Sequence, residues 1–576
     1  MPERRKKPVQ RRTGIVRMWS SGILIGPGGI RFGLVDAYHR RQDYAGVALH
    51  LWLACVLVGV VGSVVALVVD VLTKETYQMR LALCLAAPNL ATRILVWVST
   101  GAIAALGATM LVKWEPSASG SGLPEVKEAM SGILLFDSLS LKTLLVKPIA
   151  LALALSSSLS IGKEGPFVHC ACCIAYQVAN SRYVGFSKLV KDQRQIELLV
   201  AACAIGVVFT FGAPVGGVLF SAEITSTGLY SLEHLPRAFF SVTISLTLYY
   251  IGLRPLLIIL LGDDPFTLFT TTFFQHSFST VELLAFALQG VLAALVAAAC
   301  EKCVKGASKL RPYLKGRWGM GYALPALIAV GCSLFNLGVS GGACKGHYTE
   351  GGGGTLDRLF NMPGRGASVE EALAADNEQT WLSLTQLFAF GAFKLLLLSP
   401  ISLAMPVPTG VFLPTFVSGA ALGSLYGSLL RRLAPALFGD SLPGHFAVTG
   451  AAALASAATR TMSSAVVTIE LSGQLFLQIP VLVASTTAYL AARLLETPSL
   501  FDSFVTIKGL PGATDKGVPL AADGPLSTSS LALRDFAHEL TSASVPRFIN
   551  ARELVVLLTA ESTRWALDGV TLVPIV

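Results

Sequence analysis

The residues best placed to do chemistry are Lys163 and Glu164, adjacent in the stretch Gly162-Lys163-Glu164-Gly165-Pro166-Phe167-Val168-His169. The span before them, Pro148 to Gly162, carries no charged residue. Ionisable groups at membrane depth are costly and are functional candidates for that reason. Pro166 suits the first turn of a helix, where its missing N–H removes no bond. Glu164 then stands at a helix N-terminus, among free backbone amides and at the positive end of the dipole. Such an end binds anions. A carboxylate that merely caps its own helix fits the same pattern, so this stretch alone leaves both readings open.

Two further stretches repeat the device. Gly120-Ser121-Gly122-Leu123-Pro124-Glu125 lets backbone approach a ligand closely, exposes amides at a helix start and adds the Ser121 hydroxyl. Read alone it is equally a flexible turn with a capping serine. Met405-Pro406-Val407-Pro408-Thr409-Gly410-Val411-Phe412-Leu413-Pro414 again opens a helix with Gly and has Pro close behind. One helix end is worth about 0.3–1 kcal/mol to an anion when exposed and up to about 2 when partly buried. Desolvating a monovalent anion costs several kcal/mol. One terminus does not hold it, whereas three converging termini with a hydroxyl do. Such a site suits an anion and does not suit a cation.

The elements that must position these starts lie in a membrane. The chain has 576 residues, 53% hydrophobic and 14% charged, with mean hydropathy +0.64; a soluble domain is about 25% charged. The composition predicts an all-α polytopic membrane protein. Uncharged spans long enough to cross a bilayer run over Val47–Val69, Ile94–Val112, Leu198–Ala222, Leu283–Cys300, Trp318–Ala343 and Leu471–Ala492. Leu395–Leu430 exceeds one crossing and is interrupted by Pro406, Pro408, Gly410 and Pro414, while Ala238–Leu253 and Pro148–Gly162 are short. Short, Gly/Pro-broken apolar segments point to discontinuous helices meeting at a midplane site. Residues 254–280 read as a loop or re-entrant stretch, and Gly338–Gly366 as a Gly-rich connector without the ending of a phosphate loop. A short terminal helix opens at 498–502, and Glu223 reads as a structural carboxylate bonded to a neighbour.

The net charge is +9, and residues 1–41 hold ten Lys/Arg against two acids. Beside so many apolar spans this basic arm, residues 1–44, is read as cytoplasmic by the positive-inside rule and not as a nucleic-acid patch. No apolar region follows it at signal-peptide distance. Ten cysteines are scattered without a disulfide framework. Cys170, Cys172 and Cys173 read as small packing residues, and the single Cys300/Cys303 pair is too weak a signal for a zinc or redox site. Eight histidines, none paired at metal-ligand spacing on one helix, leave no set for an enzyme or a metal centre.

Taken together, GSGLP (120–124), GKEGPFVH (162–169), GAPVGGVLFSAE (212–223), PVPTGVFLP (406–414) and PSLFDS (498–503) resemble, in order and spacing, the CLC family of chloride channels and chloride/proton exchangers. The likeness covers about residues 45–510. It implies a homodimer with one pore per subunit, and two inverted halves of tilted and broken helices, roughly 45–255 and 280–505. By the family pattern Ser121 with Gly122 forms the central chloride site. Glu164 is the gating glutamate, flanked by Lys163 and Gly165, and Gly410, Val411 and Phe412 bring the third helix end with its amides toward the anion. Chloride is the transported ion, and no resident cofactor is implied.

Two positions depart from one branch or another. Exchangers of the family carry paired glutamates after the LFS stretch, the second serving an internal proton route. Here the pair reads Glu223-Ile224, and Ile224 cannot carry a proton. GGVLFSAEITST resembles the plasma-membrane channel branch, which favours a channel in the plasma membrane over an endosomal protein; a chloride/proton exchanger is the alternative. Phe501 stands where the family has a tyrosine whose hydroxyl touches the central anion. Its loss removes a bond to a charged group worth about 1.5–3 kcal/mol, and a shallower well suits conduction. Residues 511–576 form a tail, read as cytoplasmic, whose LALRDFA, SVPRF and TLVPIV segments resemble the first part of a CBS module. It stops half complete, so nucleotide binding through a CBS pair is not expected.

Overall fold

The structure, a computed structural model, describes residues 34–130, 137–180, 194–224, 235–253, 255, 278–309, 320–339, 359–360, 388–438 and 441–508, with backbone alone over 34–50, 194–196, 252–253, 320, 322 and 337–339. The basic arm before 34, most of 254–280 and of Gly338–Gly366, and the tail after 508 lie outside the described residues.

The first half runs through α1 (Leu34–Ala86), α2 (Leu90–Trp114), α3 (Leu123–Met130), α4 (Leu141–Ser156), α5 (Glu164–Ala179), α6 (Arg194–Phe211), α7 (Pro214–Ile224) and α8 (Leu235–Thr247). The second half runs through α9 (Thr280–Ser308), α10 (Met320–Val339), a π-helical stretch Ala389–Leu398 continued by α11 (Ser399–Ala404), α12 (Phe412–Leu433), α13 (Pro435–Phe438), α14 (Pro443–Thr459), α15 (Ser463–Ser472), α16 (Gln478–Leu494) and α17 (Leu500–Lys508).

Helix starts follow local chemistry. At α4 the Ser140 hydroxyl accepts from the Thr143 amide at 3.2 Å. At α9 Ser279 and Glu282 cap each other, the Ser279 amide donating to Glu282 Oε2 at 2.7 Å and the Glu282 amide to Ser279 Oγ at 3.3 Å. Five helical spans among the described residues are long and apolar enough to cross a membrane: Leu51–Ala86, Leu90–Trp114, Thr280–Ser308, Phe412–Leu433 and Leu475–Leu494.

Two spans expected as single crossings are broken. Leu198–Ala222 divides into α6 and α7, because Gly212 takes a left-handed φ of 66° and Pro214 begins the next helix. Leu471 closes α15 and does not open a crossing: Gly473, at φ 66°, ends that helix and the chain restarts near Leu475. In both places apolar composition hides the break, since a short helix buried by its neighbours is as apolar as a spanning one.

The core joins the halves. Close helix approach is made by small buried residues, Ala420 on α12 and Ala451 on α14 among them. Gly162 and Gly410 form an isolated antiparallel bridge, with amide-to-carbonyl distances of 2.9 and 2.8 Å. Ser160 adds two bonds, its amide to Ser402 Oγ at 3.3 Å and its hydroxyl to Ser399 Oγ at 2.8 Å. The starts of α5 and α12, about two hundred and fifty residues apart in sequence, therefore lie side by side.

Candidate functional site

Three loops converge where α3, α5 and α12 begin. The Gly120 amide donates to Val407 O at 2.9 Å, tying the Ser121 turn to the Pro406–Pro408 stretch. Ser121 is buried, and its oxygen accepts from the Leu123 amide at 3.3 Å, so the hydroxyl hydrogen stays available. Gly122 turns the chain at φ 78°. Gly165 packs directly on Ser121: a Cβ there would lie 2.6 Å from Ser121 Cβ, which no side chain accommodates without a shift.

Glu164, 4% exposed, points into this junction. Its carboxylate lies among the backbone amides of Lys163, Glu164 and Leu413, and neither oxygen makes a hydrogen bond of full geometry. It also abuts Gly410, where a Cβ would stand 2.5 Å from Glu164 Oε2 and 2.8 Å from Gly162 O. An ionised carboxylate held loosely among helix-start amides is itself a bound anion, attached to the chain by a flexible stem.

The third start differs in one respect from the expectation that Gly410, Val411 and Phe412 all turn amides to an anion. The Gly410 amide is engaged with Gly162 O, so this residue contributes the bridge and the absence of a side chain. Val411 is the N-cap and is buried; Phe412 opens α12. The Phe412 ring meets Phe211 at 4.7 Å and Phe220 at 6.4 Å, and Phe220 in turn meets Phe501 at 6.1 Å, all edge-on. Phe501 thus reaches the junction through Phe220 and brings no side-chain hydrogen-bond donor.

Charge surrounds the junction. Lys163 Nζ pairs with Asp70 Oδ1 at 2.9 Å, so its ammonium is shared with α1. On α4, Lys147 is fully buried, with Nζ 2.8 Å from His169 Nδ1 on α5. Lys508 pairs with Glu125, and Lys127 with Asp502 at 2.5 Å, joining α17 to α3. A cavity of about 160 Å³ opens beside them, lined among others by Ile224, Glu223, Arg460 and Phe501. Among the described residues no cluster of three His, Cys, Asp or Glu forms a metal site.

Asp70, Lys147, Phe220 and Arg460 were not singled out from sequence. Asp70 and Lys147 had a signal, each being a lone charge beside an apolar run. Phe220 lies inside the 212–223 stretch that carries the family resemblance but has no mark of its own there, and Arg460, the left-handed C-cap of α14, had no signal.

Residues 103–493 match the profile of the voltage gated chloride channel family. The chain belongs to the CLC family. It is a multi-pass membrane protein of that fold. It is similar to chloride channel protein 2 of Rattus norvegicus, 32% identical over 525 residues, covering 86% of this chain and 56% of the relative. Chloride channel protein 1 of Canis lupus familiaris is 31% identical over 498 residues, covering 81% and 49%. The chain spans about half the length of these curated relatives. Among solved structures, a eukaryotic CLC transporter superposes with TM-score 0.64 at 27% identity, covering 80% of this chain and 74% of that one. A slow cyanobacterial Cl⁻/H⁺ antiporter superposes with TM-score 0.62 at 19% identity over 80% and 99%, a likeness of fold.

Proposed function

We propose that this chain passes chloride across a membrane as a voltage-gated channel, with Glu164 as the gate. The reading rests on one observation above all: a buried carboxylate on a flexible stem lies where the starts of α5 and α12 and the Ser121 turn converge. Ionised Glu164 takes an anion's place and blocks the path. Chloride competing for that place, or a proton neutralising the carboxylate, releases the side chain. Ser121 donates its free hydroxyl to the central anion, and the amides at the three helix starts stabilise it. Opening then depends on chloride, pH and voltage.

A channel fits better than a chloride/proton exchanger because of what lines the inner cavity. Ile224 offers no proton acceptor. Its neighbour Glu223 has both oxygens engaged by Met462 and Ser463. The similarity to the two chloride channel proteins supports the same reading. We further propose a plasma-membrane location, cytoplasmic termini and a homodimer with one path per subunit, as the family resemblance of the sequence motifs implies.

The deciding experiment is the reversal potential in reconstituted bilayers at fixed chloride and varied pH gradient. A potential that follows the chloride gradient and ignores pH is expected. A shift with the proton gradient overturns the channel reading and establishes coupled exchange.

A further inference from the structure

α7 and α15 are short helices, one from each half, and each lacks a cap of its own. A helix start is normally closed by Ser, Thr, Asp or Asn at the preceding position. Here those positions are Ala213 and Met462, neither of which has an accepting oxygen on its side chain. Because Pro214 has no N–H, the first free donors of α7 are the amides of Val215 and Gly216. Both go to one carboxylate: Val215 N to Glu470 Oε1 at 3.1 Å and Gly216 N to Glu470 Oε2 at 2.8 Å. Glu470 stands near the end of α15.

The converse holds at the other start. Met462 N donates to Glu223 Oε1 at 2.9 Å, Ser463 N to the two oxygens at 3.2 and 3.1 Å, and Ser463 Oγ to Glu223 Oε2 at 2.6 Å. Glu223 is the penultimate residue of α7. The two helices therefore run antiparallel, and each closes the other's N-terminus with a glutamate from its own C-terminal end. A carboxylate at such a start makes charge-assisted bonds and meets the positive end of the dipole. Neither cap stands alone, since releasing one helix loosens the residue that caps the other.

α7 carries more than its cap. Phe220, one turn beyond Gly216, is the ring that bridges Phe412 and Phe501. Ile224 at its end and Arg460, just before α15, line the inner cavity. We propose that Glu223 and Glu470 are positioning residues for the anion path: their exchanged caps fix α7 and α15 across the two halves, and so hold Phe220 against Phe412 and Phe501. The functional part of this proposal rests on the reading of Phe412 and Phe501 as flanking that path.

The test uses the full chain with Glu470→Gln, Glu223→Gln and the double variant, each of which keeps side-chain size. One readout is the nitrate-to-chloride permeability ratio from bi-ionic reversal potentials. The other is amide hydrogen exchange in peptides spanning 412–416 and 500–504, which lie outside the two capped helix starts. Each single variant is expected to move the ratio by about threefold or more, and the double by no more than the larger single, as coupled sites behave. Exchange in both remote peptides is expected to rise. Faster exchange confined to 214–218 and 462–466, with the remote peptides at wild-type rates, overturns the proposal and leaves two local caps. A ratio at its wild-type value in a conducting variant overturns it as well. A wild-type chain that passes no chloride defeats the proposed function instead, and the exchange readout, which needs no current, still decides the clamp.

Discussion

Replacing Glu164 by Gln is the sharpest perturbation of the gate, because it keeps the shape of the side chain and removes only its charge. In the closed arrangement the carboxylate lies among the amides of Lys163, Glu164 and Leu413. A hydrogen bond to a charged acceptor is worth about 1.5–3 kcal/mol, against about 0.5–1.5 for a neutral one. Neither oxygen has full hydrogen-bond geometry, so neutralising the acceptor weakens each contact by no more than about 1–2 kcal/mol. At 1.36 kcal/mol per tenfold, one contact shifts the closed-to-open ratio toward open by up to about 5- to 30-fold, and the three amides act together. Protonation does the same to the wild type, since it too leaves a neutral group. Acidification should raise the wild-type open probability, while the Gln variant stays open and ignores pH and chloride. Single-channel recordings in planar bilayers with symmetrical chloride read both quantities. A Gln variant that closes with wild-type voltage dependence, or still opens on acidification, refutes the assignment of Glu164 as the gate.

Three further outcomes follow from the same geometry. Phe501→Tyr restores a hydroxyl beside the path; a new bond to the anion worth about 1.5–3 kcal/mol tightens chloride binding about 10- to 150-fold by titration calorimetry, with a smaller unitary current, and unchanged affinity would show that the ring does not face the anion. Gly165→Ala drives a methyl against Ser121, 2.6 Å from its Cβ, so chloride binding should collapse in the folded variant; retention of both would mean that the Ser121 turn is dispensable. Asp70→Asn leaves the Lys163 ammonium, only 14% exposed, without its ionised partner; breaking a buried pair costs up to about 3–5 kcal/mol, read as a lower thermal midpoint, together with higher conductance at low chloride, and a wild-type midpoint would argue that the pair contributes nothing.

Much of this was legible in the residues. A charge-free span ending in Lys163-Glu164, with Gly on each side and Pro166 next, marks a helix start with a carboxylate at it, and the similar starts near 120 and 410 suit an anion better than a cation. The break between α11 and α12 followed from the prolines and glycine of 405–414. The short helix Leu500–Lys508, the last among the described residues, appeared where Pro498 and Ser499 announce it, and Glu223 proved to be the bonded carboxylate that its surroundings suggested.

What the sequence by itself determined is therefore local: which segments are apolar, where helices start, and which residues at those starts carry charge or a hydroxyl. These properties depend on neighbours along the chain. Which starts meet, and what each charge meets there, was decided by the tertiary structure alone. The Gly162–Gly410 bridge, the Asp70–Lys163 pair and the exchanged Glu223 and Glu470 caps join residues tens to hundreds of positions apart. Periodicity has no record of such pairings, because a helix-start amide donates to any carboxylate that the packing delivers. The breaks at Gly212 and Gly473 escaped for a related reason: in lipid and in a protein core alike the side chains stay apolar, and only the backbone shows that one helix has ended and another begun.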